Sequence, residues 1–132
     1  MSAVGPHQIL VELTDATRSG QAVVLATIVE TERSVPRHAG TKMLVYPDGS
    51  ITGTIGGGSV EAKIREDALA TLGDGKPQMH LHRLEDPTAG DPGICGGTMT
   101  VYLEPYMPAN TLLVIGCGHV GSAVIDLAHW LG

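Results

Sequence analysis

The chain contains no phenylalanine, and aromatic residues make up only 3% of its 132 positions. Its interior must therefore be packed with aliphatic side chains, and the 42% hydrophobic share is ordinary for a domain long enough to bury a core. Cysteine is scarce as well: Cys95 and Cys117 are the only two, too few for a disulfide framework. Basic residues are outnumbered, 8 Lys and Arg against 14 Asp and Glu, for a net charge of −6. That balance argues against nucleic acid, whose binding calls for a basic surface. No apolar run approaches the roughly 20 residues of a membrane-spanning helix. The N-terminus also lacks a basic region followed by an apolar stretch. The expectation is a cytoplasmic protein with reduced thiols and neither nucleic-acid nor membrane partners. There is no H-E-x-x-H, paired-carboxylate or Ser/His/Asp pattern, so no catalytic set is expected.

Glycine, by contrast, is abundant, at 18 residues, and much of it is clustered. The cluster Gly56-Gly57-Gly58 joins a strand-like segment to a helix-like one. Three consecutive glycines pack nothing; they offer bare backbone, free φ and unobstructed N–H groups. Ser59 reads as the N-cap of the helix that follows. A helix start with unpaired donors is a natural anion site, which points to a phosphate-bearing ligand. The spacing matches neither a Walker loop nor a dinucleotide fingerprint.

Taken in order, residues 7–19 carry Ile9, Leu10, Leu13 and Ala16 at helical spacing, with Gly20 as the stop. Residues 22–29 form a short β-branched run suited to a buried strand, and a polar loop occupies 30–40. Residues 42–46 and 51–55 read as a hairpin about Pro47-Asp48-Gly49-Ser50. Beyond the glycines, Val60, Ile64, Ala68, Leu69 and Leu72 make one stripe, Glu61 and Arg65 pair at i,i+4, and Gly73 ends the helix. A half-exposed strand is expected over 78–84, a loop rich in Asp, Pro and Gly over 85–92, and a strand over 98–104. Residues 105–110 look like a linker, 111–115 like a strand and 122–131 like a helix.

Gly116, Gly118 and Gly121 have the G-x-G-x-x-G spacing between that strand and helix, the opening of a Rossmann unit. The expected fold class is thus α/β. A mixed α/β domain spans 1–104, a linker 105–110, and the first βα unit of an incomplete Rossmann domain 111–132. The acidic ribose-binding residue expected about 20 positions further on is missing, which weighs against NAD(P) binding by this chain alone.

Cys95 lies between glycines in a loop, where a thiol is accessible and a nearby cation can lower its pKa. Neither cysteine has a zinc-type partner at ligand spacing. A soft thiolate suits molybdenum, copper or sulfur chemistry. Cys117, inside the fingerprint, reads as packing. Arg37 and Lys42 flank Gly40; they are either ordinary surface cations or the counter-charge of an anion held by the glycines. His38 reads as solvated, His80 and His82 as structural neighbours on one strand face without a third ligand, and His119 as a helix-start residue.

Read together, several motifs follow in a fixed order: Ser34-Val35-Pro36-Arg37, Gly40-Thr41-Lys42-Met43, the stretch from Gly53 through the triple glycine to Glu61, Gly93-Ile94-Cys95-Gly96-Gly97, Glu104-Pro105, and the 116–121 fingerprint. In this order they resemble the XdhC/CoxI family of xanthine dehydrogenase accessory proteins, from about Ala22 onward. The resemblance implies a chaperone, more than a turnover enzyme, that binds molybdenum cofactor (molybdopterin). It further implies support of cofactor sulfuration with a cysteine desulfurase, and delivery to an apo molybdenum hydroxylase of the xanthine dehydrogenase or carbon monoxide dehydrogenase type. Under it, Gly56, Gly57, Gly58 and Ser59 hold the pterin phosphate with Arg37 and Lys42. Cys95, in the loop with Gly96 and Gly97, approaches the molybdenum or its dithiolene. Two features depart from the pattern: Arg33 stands where members often carry Gly, and members run on through a full Rossmann domain. The alternatives are an NAD(P)-binding oxidoreductase fragment, or a structural or regulatory subunit completed by a partner chain. A homo-oligomer, with domain swapping as one route to completion, is also expected.

Overall fold

A computed structural model describes residues 5–84, 96–116 and 118–131. Three helices and five strands occur in the order α1 (Pro6–Arg18), β1 (Val23–Glu32), β2 (Lys42–Val45), β3 (Ile51–Gly53), α2 (Gly58–Asp74), β4 (Gln78–Arg83), β5 (Thr98–Tyr106) and α3 (His119–Leu131). The strands form one mixed-connection but wholly antiparallel sheet, ordered β3-β2-β1-β5-β4. The expected mixed α/β character of the N-terminal part is present.

Strand alternation sorts the sheet into two faces. Val24, Ala26 and Ile28 of β1, Met43 and Val45 of β2, and Met99, Val101 and Leu103 of β5 point to one face, together with Ile55. There they meet Ile64 and Ala68 of α2, flanked by Val60, Leu69 and Leu72, so the expected helical stripe is the one that packs. Val23, Leu25 and Leu44 point to the other face and meet Ile9, Leu13 and Ala16 of α1. The core is aliphatic, as the absence of phenylalanine requires. The connection from β3 at one edge to β4 at the other is α2, which lies across β2, β1 and β5 on the way.

Local features follow from turn chemistry. The β2–β3 hairpin closes with Tyr46 N–H donating to Ser50 O and Gly49 N–H donating to Tyr46 O, with Gly49 at φ 80°. Asp48 accepts from the backbone and hydroxyl of Ser50, and these bonds hold its carboxyl below the usual range. β1 runs to Glu32 rather than ending near residue 29, because β5 offers it a partner over that whole length across a bulge between Ile28 and Glu30.

Several expectations are corrected. The first residue of α2 is Gly58 and its N-cap is Gly57, so Ser59 lies inside the first turn and caps nothing. The helix passes Gly73 and stops at Gly75, whose φ of 64° supplies the left-handed C-cap. Residues 111–115 are not a strand: Leu113 is 81% and Ile115 92% exposed, and the segment pairs with neither sheet edge. An apolar run becomes a strand only when a neighbour supplies the ladder. The described part of the chain therefore shows no Rossmann sheet. Gly116 stands at φ 112° and Gly121 is backed onto the Gly116 carbonyl, and α3 has no buried residue.

Candidate functional site

The loop between β1 and β2 is the hub of the site. Arg33 sits at φ 61°, the left-handed region that favours glycine, so this backbone keeps a glycine-type bend despite its side chain. The bend sends Ser34 into a parallel bridge with Gly96. Gly97 lies so close beneath that a Cβ there would collide with the carbonyl oxygens of Ser34 and Glu32 and with Val35. Further along, Pro36 packs over Gly56, where a Cβ would come within 3.0 Å of its Cγ. One loop thus touches both glycine clusters, and brings Gly96 and Gly97 to the same end of the sheet as the 56–58 turn. Cys95, like Cys117, lies outside the described residues.

Arg37 and Lys42 meet at a cavity of about 420 Å³ lined by Pro6 and Ile9 of α1, Arg37, Ala39, Gly40, Thr41, Lys42 and Thr54. Among the described residues its walls carry two cations and no carboxylate. Gly40 makes the corner at φ 90° and donates its N–H to Ile28 O, while Thr41 donates to His38 O. Lys42 Nζ lies 3.2 Å from Thr27 Oγ1 on the neighbouring strand. Among the described residues neither Arg37 nor Lys42 has a carboxylate within salt-bridge distance; the ion pairs there involve Lys63, His80 and His82. Gly56, Gly57, Gly58 and Ser59 are neighbours of this cavity through Thr54 and Pro36, but do not line it.

The glycine turn itself is occupied from within. Oε2 of Glu61 accepts from Thr54 Oγ1, from Ile55 N–H at 3.2 Å and from Gly57 N–H at 3.2 Å, while Gly56 N–H donates to Thr54 Oγ1 at 3.3 Å. The carboxylate also stands at the positive end of α2. Sequence reasoning expected Glu61 to pair with Arg65 along the helix; three local donors outcompete one exposed guanidinium. The signal was present in the acidic residue one turn inside a helix that opens on glycine.

His80 and His82 face α2 from β4 and share Asp67, with Nδ1 and Nε2 at 3.5 and 3.6 Å from Oδ2 respectively. Their rings stack at 6.1 Å, and burial holds the His82 imidazole below its usual range, with Asp67 opposing. Among the described residues no three His, Cys, Asp or Glu side chains are arranged to hold a metal ion. His38 is exposed in the β1–β2 loop and His119 opens α3.

The profile of the XdhC and CoxI family matches residues 16–84, which includes β1, the hub loop, the glycine turn and α2. The chain belongs to that family. Among its relatives in Escherichia coli (strain K12), the uncharacterized protein YqeB is 42% identical over 109 residues, covering 82% of this chain and 20% of that protein. The molybdenum cofactor insertion chaperone PaoD is 33% identical over 101 residues, covering 76% of this chain and 32% of that protein. A crystal structure described as a xanthine dehydrogenase from Bacillus halodurans superposes with a TM-score of 0.62 at 32% identity, over 72% of this chain and 30% of that one. The chain thus spans a fifth to a third of the length of the curated relatives it matches. Within this XdhC and CoxI domain no helix among the described residues is long and apolar enough to cross a membrane.

Proposed function

We propose that this chain is an accessory factor that handles molybdenum cofactor during its insertion into a molybdenum hydroxylase of the xanthine dehydrogenase or carbon monoxide dehydrogenase type. The observation that carries the reading is the cavity lined by Arg37 and Lys42 between the β1–β2 loop and Thr54, in a chain 33% identical over 101 residues to an insertion chaperone. The cofactor is cargo here. Its phosphate needs positive charge and donors, which the cavity with Arg37 and Lys42 supplies. Its metal and dithiolene end needs a soft contact, which the Cys95 thiol would supply, adjacent in sequence to Gly96 and Gly97 at the hub. The chain's own work is to bind the phosphate end, orient the cargo against the β1–β2 loop and exclude water, until the apo-enzyme takes it. Exchange of an oxo ligand for sulfur would be done by a cysteine desulfurase acting on the cargo while it is held.

The test is the molybdenum and pterin content of the protein purified without oxygen from a host that makes the cofactor. Near-stoichiometric pterin with molybdenum is the expected result, with loss on Cys95→Ala assigning that thiol. A folded protein carrying neither pterin nor molybdenum would remove the carrier role from this chain.

A further inference from the structure

The sequence suggests one anion site, the triple-glycine turn, assisted by Arg37 and Lys42. The geometry separates the two. We infer that the glycine turn is closed by the chain's own carboxylate, and that the external phosphate is bound in the cavity by Arg37, Lys42 and the N-terminus of α1. This deepens the reading above and rests on the site taking a phosphate-bearing ligand.

Three independent features converge on the cavity. Among the described residues its lining holds a guanidinium and an ammonium with no carboxylate, in a chain whose net charge is −6. Two cations lining one concave surface repel, and an anion between them removes that repulsion. Pro6, the first residue of the 13-residue α1, is part of the same wall; the N-cap is Gly5, which has no side chain to satisfy the helix start. The positive end of α1 therefore faces the space between the cations. A volume of about 420 Å³ also leaves room for a phosphate ester with part of its organic body.

The glycine turn lacks this freedom. Thr54 Oγ1, Ile55 N–H and Gly57 N–H converge on one oxygen of Glu61. A phosphate there would have to expel a carboxylate held within the same eight residues, and the expelled charge would remain beside it. Thr54 is shared between the two sites: it lines the cavity, but its hydroxyl proton is donated to Glu61. With that proton committed, the charged donors on the wall are Arg37 and Lys42, beside the Thr41 hydroxyl. Glu61 serves the glycine turn and does not line the cavity.

Inorganic phosphate is the probe, titrated into the full chain at low ionic strength and followed by calorimetry and phosphorus NMR, with circular dichroism confirming the fold of each variant. The expected result is saturable binding that Arg37→Gln and Lys42→Met each weaken about tenfold or more, and that Glu61→Gln changes less than about twofold. Should Lys42→Met unfold, Lys42→Arg replaces it and must retain binding. The inference is overturned if there is no saturable binding up to about 20 mM phosphate, if both cation variants bind as wild type, or if Glu61→Gln controls affinity while they do not. No pterin or molybdenum enters this titration, so it is independent of the cofactor test. Phosphate binding without cofactor retention sinks the chaperone role and leaves the pocket standing. Cofactor retention undiminished in Arg37→Gln and Lys42→Met does the reverse.

Discussion

Gly97→Ala isolates the close approach on which the site's geometry depends. The backbone of Gly97 is not in a glycine-only conformation; what excludes a side chain is space. A Cβ would meet the Glu32 carbonyl oxygen at 2.7 Å and Val35 Cγ1 at 2.8 Å, and would run into the Ser34 carbonyl still more closely. Two of these three obstacles are backbone, which cannot swing away as a side chain does. Overpacking in a well-packed region costs about 1–3 kcal/mol when side chains yield, so a clash against two carbonyls sits at about 3 kcal/mol or above. Gly96 is the internal control: it has φ 56° and nothing within 4 Å of its virtual Cβ. Gly96→Ala therefore incurs only the left-handed backbone cost of about 1–2 kcal/mol. With a urea dependence of about 1.5 kcal/mol/M, the midpoints fall by about 2 M for Gly97→Ala and about 1 M for Gly96→Ala. Far-UV circular dichroism is the assay, since Trp130 is largely exposed on α3 and reports little of the core. Equal losses, or a larger one at Gly96, would refute the packing argument and with it the pinning of the hub loop to β5.

Other outcomes follow from the same structure. Arg33→Gly is expected to stabilise by about 0.5–1 kcal/mol in the same urea assay, because relief of the left-handed strain exceeds the extra chain entropy of glycine; destabilisation would show that the Arg33 side chain contributes contacts of its own. Ile64→Ala, at a fully buried position under the sheet, should cost about 2–5 kcal/mol, whereas a loss below 1 kcal/mol would mean that α2 does not pack as described. Met79→Lys, on the outward side of β4, should change stability by less than about 0.5 kcal/mol. His82, held neutral by burial, contributes stability that is complete above its unfolded pKa of about 6.5 and declines as pH falls below it, since the unfolded chain takes the proton more readily. Comparing denaturation at pH 7.5 and 5.5 should show a smaller pH effect in His82→Leu than in wild type; an unchanged pH effect would place the titration elsewhere.

What could be read from the sequence depended on whether a signal was carried by one element or by two. The α2 stripe of Val60, Ile64, Ala68, Leu69 and Leu72 was legible because a period of 3.6 names its own buried face. β4 was legible as a half-exposed strand but not as to which half: Met79 and Leu81 are 64% and 61% exposed, while His80 and His82 turn inward to Asp67. Register with β5 decides that, by placing His80 opposite Val101 and His82 opposite Met99 on the core side. Residues 111–115 carried the pattern of a strand without the partner that would make one. At the site, the residue types were legible and their proximity was not. Nothing in the spacing of Ser34, Gly56 and Gly97 reveals that a single bent loop touches the other two segments. The glycine turn suggested an external anion, whereas the carboxylate that its amides hold lies four residues downstream of its N-cap.

Because Thr54, Ile55, Gly57 and Glu61 fall within one short stretch, the turn needs no distant part of the chain to assemble. Loop-closure entropy for such a contact is small, so the structure can form as soon as this segment is free, before the sheet that flanks it is paired. The same locality gives the amides of Ile55 and Gly57 a common clock. Both are shielded by one oxygen, so their protons exchange with solvent together each time that carboxylate lets go, and the rate counts the openings of a single side chain.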